Sequence, residues 1–319
     1  MSEVGISAIG AVVPEKILTN SDLEKLVETN DEWIVSRTGI RERHILSKGE
    51  SLLPLVTEAG KQACDKAKIN PTELDFVLSS TLTPDHLCPG QAFEIANQLQ
   101  AAHAFCFDIN AACSGFIYGL ATAESLLKTR NIKTGLVTAA EQLTRTVDYS
   151  DRSTCVLFGD ATAAAVVTND HPEHLLLHTE LGADPTMAYE VTIGGVRNLL
   201  EDQKSDYYFK QSGKAIFKFA VSKIKELYNI VPQKVGLKPE QITYVIPHQA
   251  NIRIIEAAAK EVVSHNTVVL SNIEKYGNTS SASIGLALNQ YWDTFKKGDY
   301  IMLIGFGGGL AWGAALFEW

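Results

Sequence analysis

The sequence predicts a duplicated α/β fold, with two similar halves in series along 319 residues. Three observations carry that expectation. In each half a helical pattern, a proline turn and a compact apolar strand follow one another. In each half a helix of small residues carrying Gly-Leu-Ala lies just beyond a polar residue, Cys113 in one and Asn278 in the other. Each half then closes on two further strand-like runs with a glycine turn beside them. Echoes in the same order along one chain are the mark of internal repetition.

Taken from the N-terminus, Ser51 to Lys68 has helical periodicity and leads into Pro71-x-x-Leu74-Asp75-Phe76-Val77-Leu78. The proline opens a turn, and the apolar run suits a buried strand. FCFDI at 105–109 reads as a strand and 111–123 as a helix, followed by the strands GLVTAAE at 135–141 and FGDATAAAVV at 158–167. TNDHPE then interrupts two apolar runs, so the boundary is expected near Asn169–Glu173 and the halves at 1–170 and 171–319. EDQKSDYYFKQSG at 201–213 reads as a solvent-facing loop before an amphipathic helix from Gly213 to Val231. Pro239-x-x-Ile242-Thr243-Tyr244-Val245-Ile246 repeats the turn and strand, and a helix begins near Asn251. A small-residue helix at 279–288 and the strands YIMLIGF at 300–306 and FGGGLAWGAALF at 306–317 complete the repeat. Helices rich in Ala, Gly and Ser permit close approach, so 111–123 and 279–288 are expected to pack between two sheets.

Composition narrows the function. Hydrophobic residues make up 45% and charged residues 20%, ordinary for a soluble globular protein. A net charge of −9 disfavours a general nucleic-acid binder, because phosphate contact needs concentrated cations. The opening MSEVGISAIGAVVP has no basic stretch followed by a long apolar run, so neither a secretory signal nor membrane insertion is expected. The five cysteines, Cys64, Cys88, Cys106, Cys113 and Cys155, are odd in number and lack close pairing. That spacing argues against a disulfide framework or structural zinc, and no histidine–carboxylate grouping suggests another metal.

Cys113 stands between a strand and a helix, where free backbone N–H groups and the helix dipole can favour a thiolate. A packed small residue is the plain alternative. His248 follows the strand YVIP and faces the crevice side of an α/β sheet, or else caps the next helix. Asn278, in YGNTSSAS, can cap a helix, or pair its carboxamide N–H with neutral His248 to hold a thioester enolate. Gly307-Gly308-Gly309 is too short for a nucleotide phosphate loop and suits close backbone approach to a thioester carbonyl.

The sequence resembles the β-ketoacyl-acyl-carrier-protein synthase III family of thiolase-like condensing enzymes. The resemblance runs through TNDEWIVSRTGIRERH at 29–44, AACSGFIYGL at 111–120, DRSTCVLFGD at 151–160, IPHQANIRII at 246–255, YGNTSSASIGLAL at 276–288 and GFGGGLAWGAAL at 305–316. It implies a duplicated five-layer α/β/α/β/α fold, a homodimer and a cytoplasmic enzyme without a cofactor, for which the CoA thioester is a substrate. The implied reaction is a ping-pong Claisen condensation. Acyl-CoA loads Cys113, malonyl-acyl carrier protein loses carbon dioxide beside His248 and Asn278, and backbone N–H groups of Cys113 and Gly308 form the oxyanion hole. The resemblance also assigns Trp33, Arg37, Arg152 and Asn251 to CoA. Lys214, Lys218 and Arg253 fall to the carrier protein, and Cys88 to the partner subunit's acyl pocket.

Three segments depart from the family pattern. FGDATAAAVV has Ala161, Thr162 and Ala163 in place of the usual glycine-rich FGDGAGA pattern, Cys88 is small where a large aromatic residue is common, and LGADPTMAYEVTIGGVRNLL diverges. They point to a longer or unusual primer. The competing functions are an acyltransferase that forms an ester or amide through Cys113, and a non-catalytic partner subunit on the same fold.

Overall fold

The structure, a computed structural model, describes residues 3–196, 207–262 and 267–319. Its first half contributes β1 (Gly5–Val12), β2 (Phe76–Ser80), β3 (Phe105–Ile109), β4 (Thr134–Gln142) and β5 (Asp160–Thr168). The second contributes β6 (His174–Ala183), β7 (Tyr244–Pro247), β8 (Val268–Val269), β9 (Tyr300–Gly307) and β10 (Ala311–Glu318). Across the molecule they lie in the order β8-β7-β9-β10-β6-β1-β5-β4-β2-β3. Outward from the centre, each half sets down its first, fifth, fourth, second and third strand. Directions repeat too: the two inner pairings of each half are antiparallel and the two outer ones parallel. Within this sheet the halves meet where Gly5 pairs with Leu175 and Ile6 with His174.

The main helices are α1 (Asp31–Thr38), α2 (Leu53–Ala67), α3 (Gln91–Gln98), α4 (Gly115–Thr129), α5 (Gly213–Gln233), α6 (Ile252–Val262) and α7 (Ala282–Tyr291). Helices α4 and α7 touch strands of both halves and fill the middle layer. Outside them, α2 and α3 cover the first half, and α5 with α6 covers the second, which gives the five expected layers. β4 and β5 are buried at every position, as strands covered on both faces should be.

The middle layer explains why the alanine-rich departure is tolerated. Ala163 lies on a regular strand, and a Cβ added at Gly285 of α7 would meet the Ala163 Cβ at 2.6 Å. The glycine on the helix leaves room for the alanine on the strand. Thr162 is satisfied as well, donating its hydroxyl to Val12 O at 2.9 Å.

Two expectations shift. The small-residue helices begin later than their composition suggests, at Gly115 and Ala282. The residues ahead of them form turns in which Ala112 has φ +46° and Ser280 φ +51°. Neither residue type favours the left-handed region, so sequence gives no warning of these turns. Of the loop expected at 201–213, residues 201–206 lie outside the described residues. Lys210–Gln211 form a short strand paired with Val191–Thr192.

An N-terminal excursion carries α1 to the mouth of the site. Its anchor is Arg43, fully buried, whose guanidinium donates to Leu18 O at 3.1 Å, Asn20 Oδ1 at 2.9 Å and Val156 O at 2.7 Å. No carboxylate bonds it among the described residues, and burial lowers its pKa to about 10, with the nearby Glu42 charge opposing the fall. No helix among the described residues is long and apolar enough to cross a membrane.

Candidate active site

Cys113 sits in a single 3₁₀ turn, Ala112–Ser114, between the end of β3 and the start of α4. The left-handed Ala112 turns the chain sharply there. From the other side β9 presses against the turn: a Cβ on Gly307 would lie 2.7 Å from the Cys113 nitrogen and 2.9 Å from its Cβ. Only glycine allows that approach. Cys113, Gly308 and Gly309 line a cavity of about 730 Å³, walled by Leu82, Tyr118, Leu143, Val191 and Phe209. A cavity with apolar walls and a few polar groups suits an acyl chain.

His248 follows the last residue of β7, with its backbone N–H bonded to Ile304 O of β9 at 2.8 Å. The imidazole is 1% exposed and lines neither large cavity near the site. Its Nδ1 lies 2.7 Å from Ser283 Oγ, and the Gln249 N–H donates to that same oxygen at 3.3 Å. The Ser283 hydroxyl proton is therefore available to Nδ1, which leaves the imidazole proton on Nε2. Burial lowers the His248 pKa to about 3, so the ring is neutral near pH 7.

Asn278 is fixed through its backbone, which donates to Leu157 O at 2.8 Å and accepts from the Gly159 N–H at 3.1 Å. Its Oδ1 accepts the Ser280 N–H at 2.9 Å, leaving Nδ2 as the available donor. Ser280 Oγ in turn lies 3.4 Å from Cys113 Sγ. One short segment, 278–283, thus contacts the thiol through Ser280, the imidazole through Ser283, and carries the carboxamide itself.

The thiol differs from its sequence expectation. The helix N-terminus is in place, yet burial outweighs it and pushes the Cys113 pKa up to about 12. The Ser280 hydroxyl opposes that rise, while the neighbouring Glu141 adds to it. Glu141, at the end of β4, is fully buried, and burial raises its own pKa. Ser280, Ser283 and Glu141 were not singled out from sequence. The available signals were a surplus of serines in NTSSAS beyond what one cap needs, and a lone carboxylate in the apolar run GLVTAAE.

A second cavity, about 680 Å³, runs from Trp33, Arg37 and Arg152 inward to Asn278. Arg37 and Arg152 both lie over the Trp33 ring, at 4.9 and 5.1 Å from its centroid. Asn251 and Arg253 also line this cavity, and Asn251 Oδ1 caps α6 by accepting the Arg253 N–H at 2.9 Å. Lys214 lines it from α5; Lys218, one turn on, lies instead on an adjoining patch with Met187 and Phe219. Cys88 is exposed and lines neither cavity, away from Cys113 of its own chain. No group of three or more His, Cys, Asp or Glu side chains among the described residues could hold a metal.

Residues 107–185 match the family model for 3-oxoacyl-[acyl-carrier-protein] synthase III, and 233–319 match the model for its C-terminal part. The chain is 43% identical over 316 residues to a β-ketoacyl-[acyl-carrier-protein] synthase III of Aquifex aeolicus, covering 98% of this chain and 99% of that one. The chain belongs to the β-ketoacyl-[acyl-carrier-protein] synthase III family. A crystal structure of 3-oxoacyl-[acyl-carrier-protein] synthase III from Aquifex aeolicus superposes with a TM-score of 0.91 at 42% identity, covering 99% of this chain and 100% of that one. The priming β-ketosynthase of the R1128 polyketide biosynthetic pathway superposes at 0.93 with 31% identity, covering 99% and 96%. Like its relatives in the synthase III family, the chain is a condensing acyltransferase with the thiolase-like fold.

Proposed function

We propose that this chain joins an acyl-CoA primer to malonyl-acyl carrier protein by decarboxylative Claisen condensation, through an acyl-Cys113 intermediate. The observation that carries the proposal is the convergence of thiol, imidazole and carboxamide on segment 278–283, between an apolar cavity and an arginine-flanked one. In the first half-reaction Cys113 sulfur attacks the thioester carbonyl, and CoA leaves as its thiolate. The N–H groups of Cys113 and Gly308 hold the oxyanion, an interaction worth about 10² to 10³ in rate per donor in acyl-transfer enzymes. In the second, the malonyl group loses carbon dioxide, and the electron pair of the broken bond becomes an enolate. The Nε2–H of His248 and Nδ2–H of Asn278 stabilise that enolate. Its carbon then attacks the Cys113 thioester and expels the thiolate. No cofactor is needed, because the departing carboxylate supplies the electrons.

The Trp33 ring, with Arg37 and Arg152 lying over it, suits the adenine and phosphates of CoA, and Asn251 lies along the route of the pantetheine arm. Lys214, Lys218 and Arg253 are exposed and make no ion pair among the described residues, so they are available to an acidic carrier protein. The proposal includes a homodimer formed along β3. That strand is a free sheet edge, with Phe105 and Phe107 each 37% exposed beside exposed Phe93 and Leu87. In such a dimer Cys88 reaches the partner's acyl cavity. With both substrates water-soluble, the proposal sets the reaction in the cytoplasm.

Intact-protein mass after exposure to a panel of acyl-CoAs, then to malonyl-acyl carrier protein, tests this. An adduct on Cys113 that disappears as β-ketoacyl carrier protein forms is the expected result, and Cys113→Ala should take up no acyl group. An adduct passed only to an alcohol or amine would replace condensation with simple acyl transfer. No adduct on the folded chain would defeat the enzyme assignment.

A further inference from the structure

Glu141 is a carboxyl group that the condensation chemistry above leaves without a task. Its Oε2 accepts from the Thr83 hydroxyl at 2.7 Å and the Leu82 N–H at 3.2 Å. Its Oε1 accepts from the Ser281 hydroxyl at 2.8 Å and the Ser280 hydroxyl at 3.1 Å. No cation contacts it among the described residues. The charged groups on adjoining elements are engaged elsewhere: Asp85 and Arg145 bond Gln142, and Asp160 of β5 bonds Thr144 and Leu46. His248 is held by Ser283. Among the described residues, the titratable group linked to Glu141 is Cys113, through the Ser280 hydroxyl, which lies 3.4 Å from Sγ.

A serine hydroxyl has one proton and can also accept one, so it is able to pass a proton between two neighbours. With Glu141 ionised, Ser280 donates to Oε1 and can accept from the Cys113 S–H. With the thiolate formed, both bonds reverse: Glu141 O–H donates to Ser280, and Ser280 donates to sulfur. Two anions this close, one of them fully buried, repel strongly, so the pair holds one negative charge rather than two.

We propose that Glu141 is the proton acceptor for Cys113, acting through Ser280. As the acyl group loads, the thiol proton moves to Ser280 and the Ser280 proton to Glu141, while the sulfur electron pair forms the new C–S bond. CoA leaves as the thiolate and takes a proton from solvent. When the enolate expels the Cys113 thiolate, Glu141 returns its proton by the same path. The cycle consumes one solvent proton, the one needed to balance loss of the malonyl carboxylate as carbon dioxide. The relay rests on Cys113 being the acyl acceptor.

The test is single-turnover acyl loading from acetyl-CoA, or from another primer the native chain accepts, followed by quenched mass spectrometry between pH 6 and 9. Glu141→Gln keeps the shape but cannot accept the proton. Ser280→Gly removes the bridge at a φ of +51° that glycine adopts freely. Both variants should load at least tenfold more slowly at pH 7 and recover as pH rises, with the profile displaced upward by a unit or more. Glu141→Asp should restore part of the rate. Loading should fall at least tenfold further than malonyl decarboxylation, which a purely structural defect would lower equally.

Unchanged or faster loading in Glu141→Gln overturns the relay, since removing a merely repulsive charge would ease thiolate formation. Parallel loss of loading and decarboxylation overturns it too. If Glu141→Gln does not fold, Ser280→Gly decides alone by the same criteria. Absence of any adduct on the native chain would defeat the condensing-enzyme proposal as well. Native loading with unaltered variants would defeat only the relay.

Discussion

Acidification distinguishes a buried neutral imidazole from an ordinary one. His248 is 1% exposed, and burial lowers its pKa from 6.5 to about 3. The chosen perturbation is a fall from pH 7 to pH 5 in the Cys113→Ala variant, which isolates malonyl decarboxylation from acyl loading. An ordinary imidazole would be only about 3% neutral at pH 5 against about 76% at pH 7, and a step needing the neutral ring would slow about 25-fold. With a pKa of about 3, about 99% of His248 stays neutral and the rate should remain nearly flat.

The same shift limits the usable window. Below about pH 6.5 the unfolded chain protonates this histidine while the folded chain does not, so stability is lost as pH falls through that range. By pH 5 the loss is about 2 kcal/mol, which makes pH 5 the lower bound of the experiment. Carbon dioxide release from malonyl-acyl carrier protein between pH 5 and 8 is the assay, with near-UV circular dichroism as the check on folding. A tenfold or larger fall with a midpoint near pH 6, in protein that remains folded, would refute the neutral-histidine argument.

Three further outcomes follow from the geometry. Ser283→Ala removes the hydroxyl 2.7 Å from His248 Nδ1 and should slow decarboxylation about tenfold while acyl loading proceeds; equal losses in both would assign Ser283 a packing role. Lys218→Glu combined with Lys214→Glu should raise the KM for malonyl-acyl carrier protein severalfold at low salt and converge toward the native value at high salt; a salt-independent change would reject electrostatic docking. Cys88→Phe should narrow the range of acyl-CoAs that load, and an unchanged profile would reject the cross-subunit pocket.

Much of the candidate site was legible because the groups that meet there lie where strands stop. Cys113, His248 and Asn278 each interrupt an apolar pattern just before a helix, and the repeated Gly-Leu-Ala lies shortly beyond two of them. Less visible was everything that depends on φ or on burial. Ala112 and Ser280 adopt left-handed turns that their residue types do not announce, so both central helices begin later than composition suggests. The Cys113 thiol shows the limit for electrostatics. A strand-to-helix position is readable in sequence, but the desolvation that overrides the helix N-terminus arises from β9 and segment 278–283 closing over it. Glu141 was hidden for the same reason, since two of the hydroxyls that bond it belong to serines of the other half.

The duplicated topology gives this division a physical basis. Helices α4 and α7 both occupy the middle layer, and the turns ahead of them carry Cys113 and Asn278. The strands β2 and β7 are likewise equivalent in the two halves, with Leu82 and Thr83 beyond one and His248 beyond the other. The first half therefore provides the thiol and the carboxyl group bonded by Thr83, while the second provides the imidazole and carboxamide. On the proposed mechanism, loading draws on one set and decarboxylation on the other. Ser280 is the crossing point, because its N–H steadies Asn278 and its hydroxyl reaches both Cys113 and Glu141. A substitution that alters its backbone should disturb both half-reactions. Loss of its hydroxyl alone should fall chiefly on loading, so the two kinds of damage are separable at a single residue.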